Sequence, residues 1–199
     1  MPFRSLLFLA HIQAVLIPIF LGIKSRKKFK QIKFPNLLPY AFISIGLASM
    51  FEMIDHTTTN WIYVDHSSIF NWLFYLFLSC GLSFFTISVS KNNMMIATNI
   101  LLIISSILSY WFLGKSTSLL FQVLISILLI SQWWNRFEDW VFIIYPITGV
   151  FFTTFFGIAL SNTGEQLWHL AIGPSGTISV LTFYTVLKRS KKKELFPHR

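Results

Sequence analysis

The stretch that decides the fold is SLLFLAHIQAVLIPIFLGI, residues 5–23, followed directly by KSRKKFKQIK, residues 24–33. The first segment is almost continuously apolar and close to the 20 or so residues that a helix needs to cross a bilayer. The second is a dense basic cluster of the kind that marks the cytoplasmic end of a span. Because no small-residue cleavage site follows the apolar run, we expect a retained first span rather than a signal peptide.

Six further apolar runs follow along the chain, each long enough for a spanning helix. They cover residues 36–56, 64–89, 93–113, 117–134, 139–160 and 164–187. The runs are continuously apolar, whereas the strands of a membrane barrel alternate in polarity. The sequence therefore predicts an all-α integral membrane protein whose seven transmembrane helices form one domain over residues 1–199.

The composition agrees with this fold class. The 199 residues are 54% hydrophobic and 12% charged, whereas a soluble domain carries about 25% charged residues. A water-soluble enzyme and a disordered chain are both excluded. The net charge of +9 does not indicate nucleic acid binding, because the basic residues lie in short clusters between spans. The expected partners are membrane lipids.

Counting Lys and Arg at each connection gives the orientation, because cytoplasmic loops carry the excess. Fourteen of the 16 basic residues fall on one side, and only Arg4 and Lys115 fall on the other. We therefore expect the N-terminus outside and the C-terminus in the cytoplasm. The short loops and the residue usage suit a bacterial inner-membrane protein. Near the inner face, Trp133, Trp134 and Trp140 are expected to form an interfacial belt around a solvated loop at residues 135–139.

Most acidic and imidazole side chains gather at one depth, in the outer half of the predicted bundle. These residues are His11, Glu52, Asp55, His56, Asp65, His66, Glu165 and His169. Ionisable groups within membrane segments are costly, and a functional site is the default hypothesis for them.

Two of these pairs have the spacing that places both side chains on one helix face, namely Glu52 with His56 and Glu165 with His169. Two imidazoles and a carboxylate brought together from two helices form a recognised zinc site with a fourth position open for water. Two structural alternatives stay open. Residues 55–68 would be polar in any exposed loop, and Glu165 near a helix start is favoured by the helix dipole.

Three short motifs resemble those of the CREST superfamily of seven-span membrane hydrolases, which includes the alkaline ceramidases and the adiponectin and progestin receptors. The motifs are EMIDH at 52–56, VDHSSI at 64–69 and EQLWH at 165–169. The resemblance implies that His56 and His169 bind zinc and that Asp65 is the catalytic or water-orienting carboxylate. The chain departs from the family in having Glu165 for the first histidine of a pair and Glu52 for a serine.

The preferred hypothesis is a metal-dependent hydrolase of a lipid amide or ester. His56, Glu165 and His169 would bind zinc or another divalent metal, and Asp65 or Glu52 would take the proton from the attacking water. One alternative is a small ion-coupled transporter that uses the outer carboxylates and imidazoles as a relay. Another is a non-catalytic, receptor-like membrane scaffold in which the polar cluster only satisfies helix ends.

Overall fold

A computed structural model describes residues 2–26, 29, 32–62, 68–90, 92–148 and 169–195. Every element in these ranges is helical. The elements are α1 (Pro2–Ser25), α2 (Leu37–Thr58), α3 (Ile69–Val89), α4 (Asn93–Phe112), α5 (Lys115–Phe137), a 3₁₀ helix (Trp140–Ile143), α6 (Ile144–Ile147) and α7 (His169–Leu195).

The helices α1 to α5 are each long and apolar enough to cross a membrane. Their bounds lie within a few residues of the first five predicted spans, and the largest difference is at the third. There, α3 begins at Ile69 because the Ser68 side chain accepts a hydrogen bond from the Asn71 amide and caps the helix. The predicted spans at 139–160 and 164–187 fall partly outside the described residues, and the single domain stays a prediction.

Two close contacts hold α1 against its neighbours α2 and α7. A Cβ placed on Gly46 of α2 would lie 2.9 Å from the Val15 carbonyl oxygen of α1. A Cβ on Gly173 of α7 would lie only 2.4 Å from the Ala10 carbonyl oxygen of α1. Small residues let membrane helices approach this closely. The two glycines therefore allow both α2 and α7 to pack closely against α1.

The opposite end of the bundle is closed by an aromatic cluster. Phe85 of α3 stacks on Phe183 of α7 with ring centroids 4.5 Å apart, and Trp133 of α5 packs edge-on against Phe183. The Trp133 indole N–H donates to the Phe85 carbonyl oxygen at 2.9 Å. Trp133 is fully buried, so its predicted place in an interfacial belt is wrong, whereas Trp134 and Trp140 are exposed.

An ion pair lies at the same end and corrects another expectation. Asp139 is only 5% exposed, although the sequence places it in a solvated loop. Its carboxylate accepts from the Val141 amide and contacts the Arg189 guanidinium at 2.9 Å. This contact arises because α7 continues to Leu195, past the predicted end of the span. It ties α7 to the connection after α5.

Candidate functional site

The carboxylate of Glu52 lies among three imidazoles. Its Oε2 is 3.7 Å from His11 Nε2, and its Oε1 is 3.7 Å from His169 Nδ1 and 3.8 Å from His56 Nε2. We call these four residues the histidine cluster. They come from α1, α2 and α7, and the three imidazoles are almost completely buried.

The tautomer of His11 follows from its second contact. His11 Nδ1 lies 3.3 Å from the Leu7 carbonyl oxygen one turn earlier, and a carbonyl oxygen only accepts hydrogen bonds. In the neutral ring Nδ1 is therefore the donor, and Nε2 turns its lone pair towards the Glu52 carboxylate. Among the described residues this buried nitrogen has no hydrogen-bond partner. A lone pair facing a carboxylate calls for a cation between them, either a proton or a metal ion.

Three members of the histidine cluster lie close enough together to share a metal ion. One ligand atom each from His11, Glu52 and His169 lie within 4.8 Å of one another. Tetrahedral ligands about 2.0–2.2 Å from zinc are about 3.3–3.6 Å apart. Each of the two imidazoles lies 3.7 Å from Glu52, His11 from Oε2 and His169 from Oε1, so a shared ion would draw the three ligand atoms slightly closer together. His56 lies beside this set, with its ring centroid 4.2 Å from that of His169.

Trp61 covers the histidine cluster. Its ring centroid lies 5.0 Å from that of His11, 5.5 Å from that of His56 and 6.1 Å from that of His169. The local backbone explains this position. Asn60 and Trp61 adopt φ angles of 54° and 61°, and the Trp61 amide bonds the His56 carbonyl at 2.9 Å. This 6→1 bond after a left-handed residue is a common helix ending, and it folds the chain back over the end of α2.

Asp55 joins α2 to α3 beside the histidine cluster. It is 1% exposed, so it does not belong to a wet loop. Its carboxylate accepts a hydrogen bond from Ser68, the residue that caps α3, and Asn71 in the first turn of α3 accepts from the Tyr110 hydroxyl of α4 at 2.9 Å. These bonds fix the end of α2, and with it the positions of Glu52 and His56.

A groove opens on the other side of Trp61, between the start of α1 and the end of α2. Its volume is about 460 Å³. The lining residues are Arg4, Ser5, Phe8, Leu9, Thr57, Asn60 and Trp61. We call it the Arg4 groove. Trp61 is therefore the wall that the Arg4 groove shares with the histidine cluster.

Of the five site residues predicted from sequence, the structure brings together Glu52, His56 and His169. Asp65 and Glu165 lie outside the described residues, so their roles stay predictions. Glu52, expected to assist proton transfer, lies where it could itself be a ligand. The sequence counted His11 among the polar outer residues without giving it a role, and its position inside an apolar run was the signal that could have assigned one.

The fold and the cluster define a multi-pass helical membrane protein with buried imidazole and carboxylate groups at one end of its bundle. The profile of a family described as a seven transmembrane receptor matches residues 3–193. The chain belongs to this family, and its fold is accordingly an all-α membrane bundle with seven transmembrane helices. Neither a curated protein nor a solved structure matches the chain.

Proposed function

We propose that this protein is a metal-dependent membrane hydrolase that cleaves a lipid amide or ester, as the resemblance to the CREST superfamily implies. The observation that carries the proposal is the convergence of His11, Glu52 and His169 on one point. Zinc, or another divalent metal, is the proposed cofactor, and a bacterial inner membrane is the proposed location. Glu165 as a further ligand and Asp65 as the proton-accepting carboxylate remain part of the proposal.

The donor set supports zinc in particular. Imidazole nitrogens and a carboxylate oxygen are the ligands of catalytic zinc sites, which keep one position open. Zinc in such a site lowers the pKa of a bound water to about 7 and polarises a substrate carbonyl. The neutral tautomer of His11 presents a lone pair to the proposed metal position, and the bond from Nδ1 to the Leu7 carbonyl is the kind of outer contact that orients metal-binding histidines.

The other residues have separate tasks in this proposal. His56 Nε2 lies 3.8 Å from Glu52 Oε1, so His56 is placed to orient the Glu52 carboxylate as an outer-shell partner. Trp61, which is 4% exposed, limits the access of bulk water to the cluster.

The test is the metal content of the full-length protein purified in detergent. We expect about one zinc per chain in the wild type and almost none in His169→Ala. Glu52→Gln should also lose the metal, whereas Glu138→Gln, which changes an exposed carboxylate at the other end of the bundle, should keep it. Fluorogenic lipid amides and esters should then be turned over by the metal-loaded wild type and by Glu138→Gln, but not by His169→Ala or Glu52→Gln. Equal metal content in all four proteins would overturn the proposal.

A second candidate function is a receptor-like membrane protein without catalysis. The description of its family as a seven transmembrane receptor favours this reading, and a metal at the histidine cluster would then stabilise the bundle or help to bind a ligand. Stoichiometric zinc that disappears in His169→Ala, with no turnover of any lipid amide or ester, would favour the receptor-like function over the hydrolase.

A further inference from the structure

We propose that the Arg4 groove binds the headgroup of an anionic phospholipid and that the lipid chains follow the exposed face of α1. This inference goes beyond the proposed hydrolase, because it assigns a ligand to a surface outside the histidine cluster.

The first argument is the make-up of the groove. Arg4 is the one charged residue in its lining, and Ser5, Thr57 and Asn60 add neutral polar groups. Among the described residues, no carboxylate forms an ion pair with Arg4. A guanidinium presents several N–H donors in a fork that fits phosphate oxygens. The groove therefore complements one phosphate group that carries a single net negative charge.

The second argument is where the groove leads. Phe8 and Leu9 form its apolar side, and they are 40% and 58% exposed. Farther along α1, Leu16, Phe20 and Ile23 are each more than half exposed. Acyl chains can therefore lie along this mostly apolar face, which Gln13 interrupts between Leu9 and Leu16, while the headgroup stays in the groove. A phospholipid fits this layout because its headgroup and chains are joined at the membrane interface.

The third argument is how scarce positive charge is at this end of the bundle. By the predicted orientation, Arg4 shares its side of the membrane only with Lys115. A lone arginine in a groove with polar and aromatic walls is thus a localised anion site rather than part of a diffuse basic surface. Lys115, at the start of α5, provides a matched control of the same charge.

The experiment is native mass spectrometry of the full-length protein, titrated with phosphatidylglycerol or with phosphatidylcholine of identical chains. We expect the wild type to retain one phosphatidylglycerol in preference to phosphatidylcholine. Arg4→Gln should weaken that retention about fivefold, the usual effect of one basic residue on binding to anionic lipid. Arg4→Lys keeps the charge but not the fork of N–H donors, so it should recover only part of the binding, and Lys115→Gln should match the wild type.

Several outcomes would overturn the proposal. The first is equal retention of the two lipids by the wild type. The second is an Arg4→Gln variant that retains phosphatidylglycerol as well as the wild type does. The third is a Lys115→Gln variant that loses as much phosphatidylglycerol binding as Arg4→Gln. Displacement of the bound lipid by an equimolar amount of oleate would assign the groove to a free fatty anion instead. His169→Ala should keep the lipid preference, so a failure of the metal proposal is distinguishable from a failure of this one.

Discussion

Glu52 brings a negative charge into a helix bundle, where an unpaired charge is expensive. Its side chain is 17% exposed, and the imidazoles around it are nearly inaccessible. The carboxylate needs polar neighbours to offset this cost, and the three imidazoles are the side chains that surround it. Glu52 is therefore the residue that contacts all three histidines of the cluster.

The contribution of each histidine can be separated by single substitutions. His11 belongs to the set whose ligand atoms lie within 4.8 Å of one another, and His56 does not. We expect zinc affinity to fall by more than about 100-fold in His11→Ala but only about 10- to 100-fold in His56→Ala, the usual effect of losing an outer-shell partner. Competition with a chelating dye measures both affinities.

A larger loss of zinc affinity in His56→Ala than in His11→Ala would support the assignment made from sequence, in which His56 is a ligand and His11 has no role. The circular dichroism of each variant serves as the control, since a loss of helix would make the affinities incomparable.

At the scale of elements, the histidine cluster exists because α1 contacts both α2 and α7. The Gly173 contact lies one turn from His169 on α7 and meets α1 at Ala10, the residue before His11. Any increase in the distance between α1 and α7 therefore separates two members of the proposed metal set directly. Packing in such contacts admits no added methyl group without a shift of the backbone.

We expect Gly173→Ala to force α1 and α7 apart, because its Cβ would lie 2.4 Å from the Ala10 carbonyl oxygen. The variant should lose about 1–3 kcal/mol of stability together with most of its zinc. Thermal unfolding in detergent and elemental analysis measure the two effects.

Gly176→Ala is the matched control, since it lies on the same helix and its Cβ would meet nothing within 4 Å. Alanine is favoured over glycine inside a helix by about 0.5–1 kcal/mol, so this control should be as stable as the wild type or slightly more so. If Gly173→Ala were as stable as Gly176→Ala and kept as much zinc, the close contact between Gly173 and Ala10 would be contradicted.

The whole molecule has two different ends. One holds the histidine cluster, and the other holds the aromatic cluster and the ion pair of Asp139 with Arg189. Phe183 lies 14 residues after His169 on α7, so the two ends are about 21 Å apart at 1.5 Å per residue. The basic residues concentrate at the aromatic end, which is the predicted cytoplasmic side.

Reporter fusions test the predicted orientation. We expect a fluorescent protein fused after Arg199 to be bright, because it folds in the bacterial cytoplasm, and alkaline phosphatase fused there to be inactive. Fusions at Gly114, between α4 and α5, should give the opposite pattern. The reason is the 14 basic residues on one side against two on the other. An active phosphatase after Arg199 would show that the orientation is inverted.

The sequence by itself determined the membrane environment and the approximate ends of α1 to α5. These features depend on local properties: an apolar run of sufficient length must become a helix in lipid, because each backbone group has to be satisfied within its own segment. The sequence also indicated that Glu52, His56 and His169 belong together. Ionisable side chains at the same depth of a membrane bundle face its interior and pair with one another.

Only the tertiary structure decided which side chains meet. It brought His11 to Glu52 and set Trp61 over the imidazoles. It also buried Asp55, for which an exposed loop had stayed open, and Trp133 and Asp139, which were expected in interfacial or solvated positions. Such contacts depend on how each helix is rotated and how closely it approaches its neighbours, and a hydropathy pattern that is apolar on all sides does not specify either. In this bundle that information lies in small contacts between helices, such as the one that Gly173 makes with Ala10.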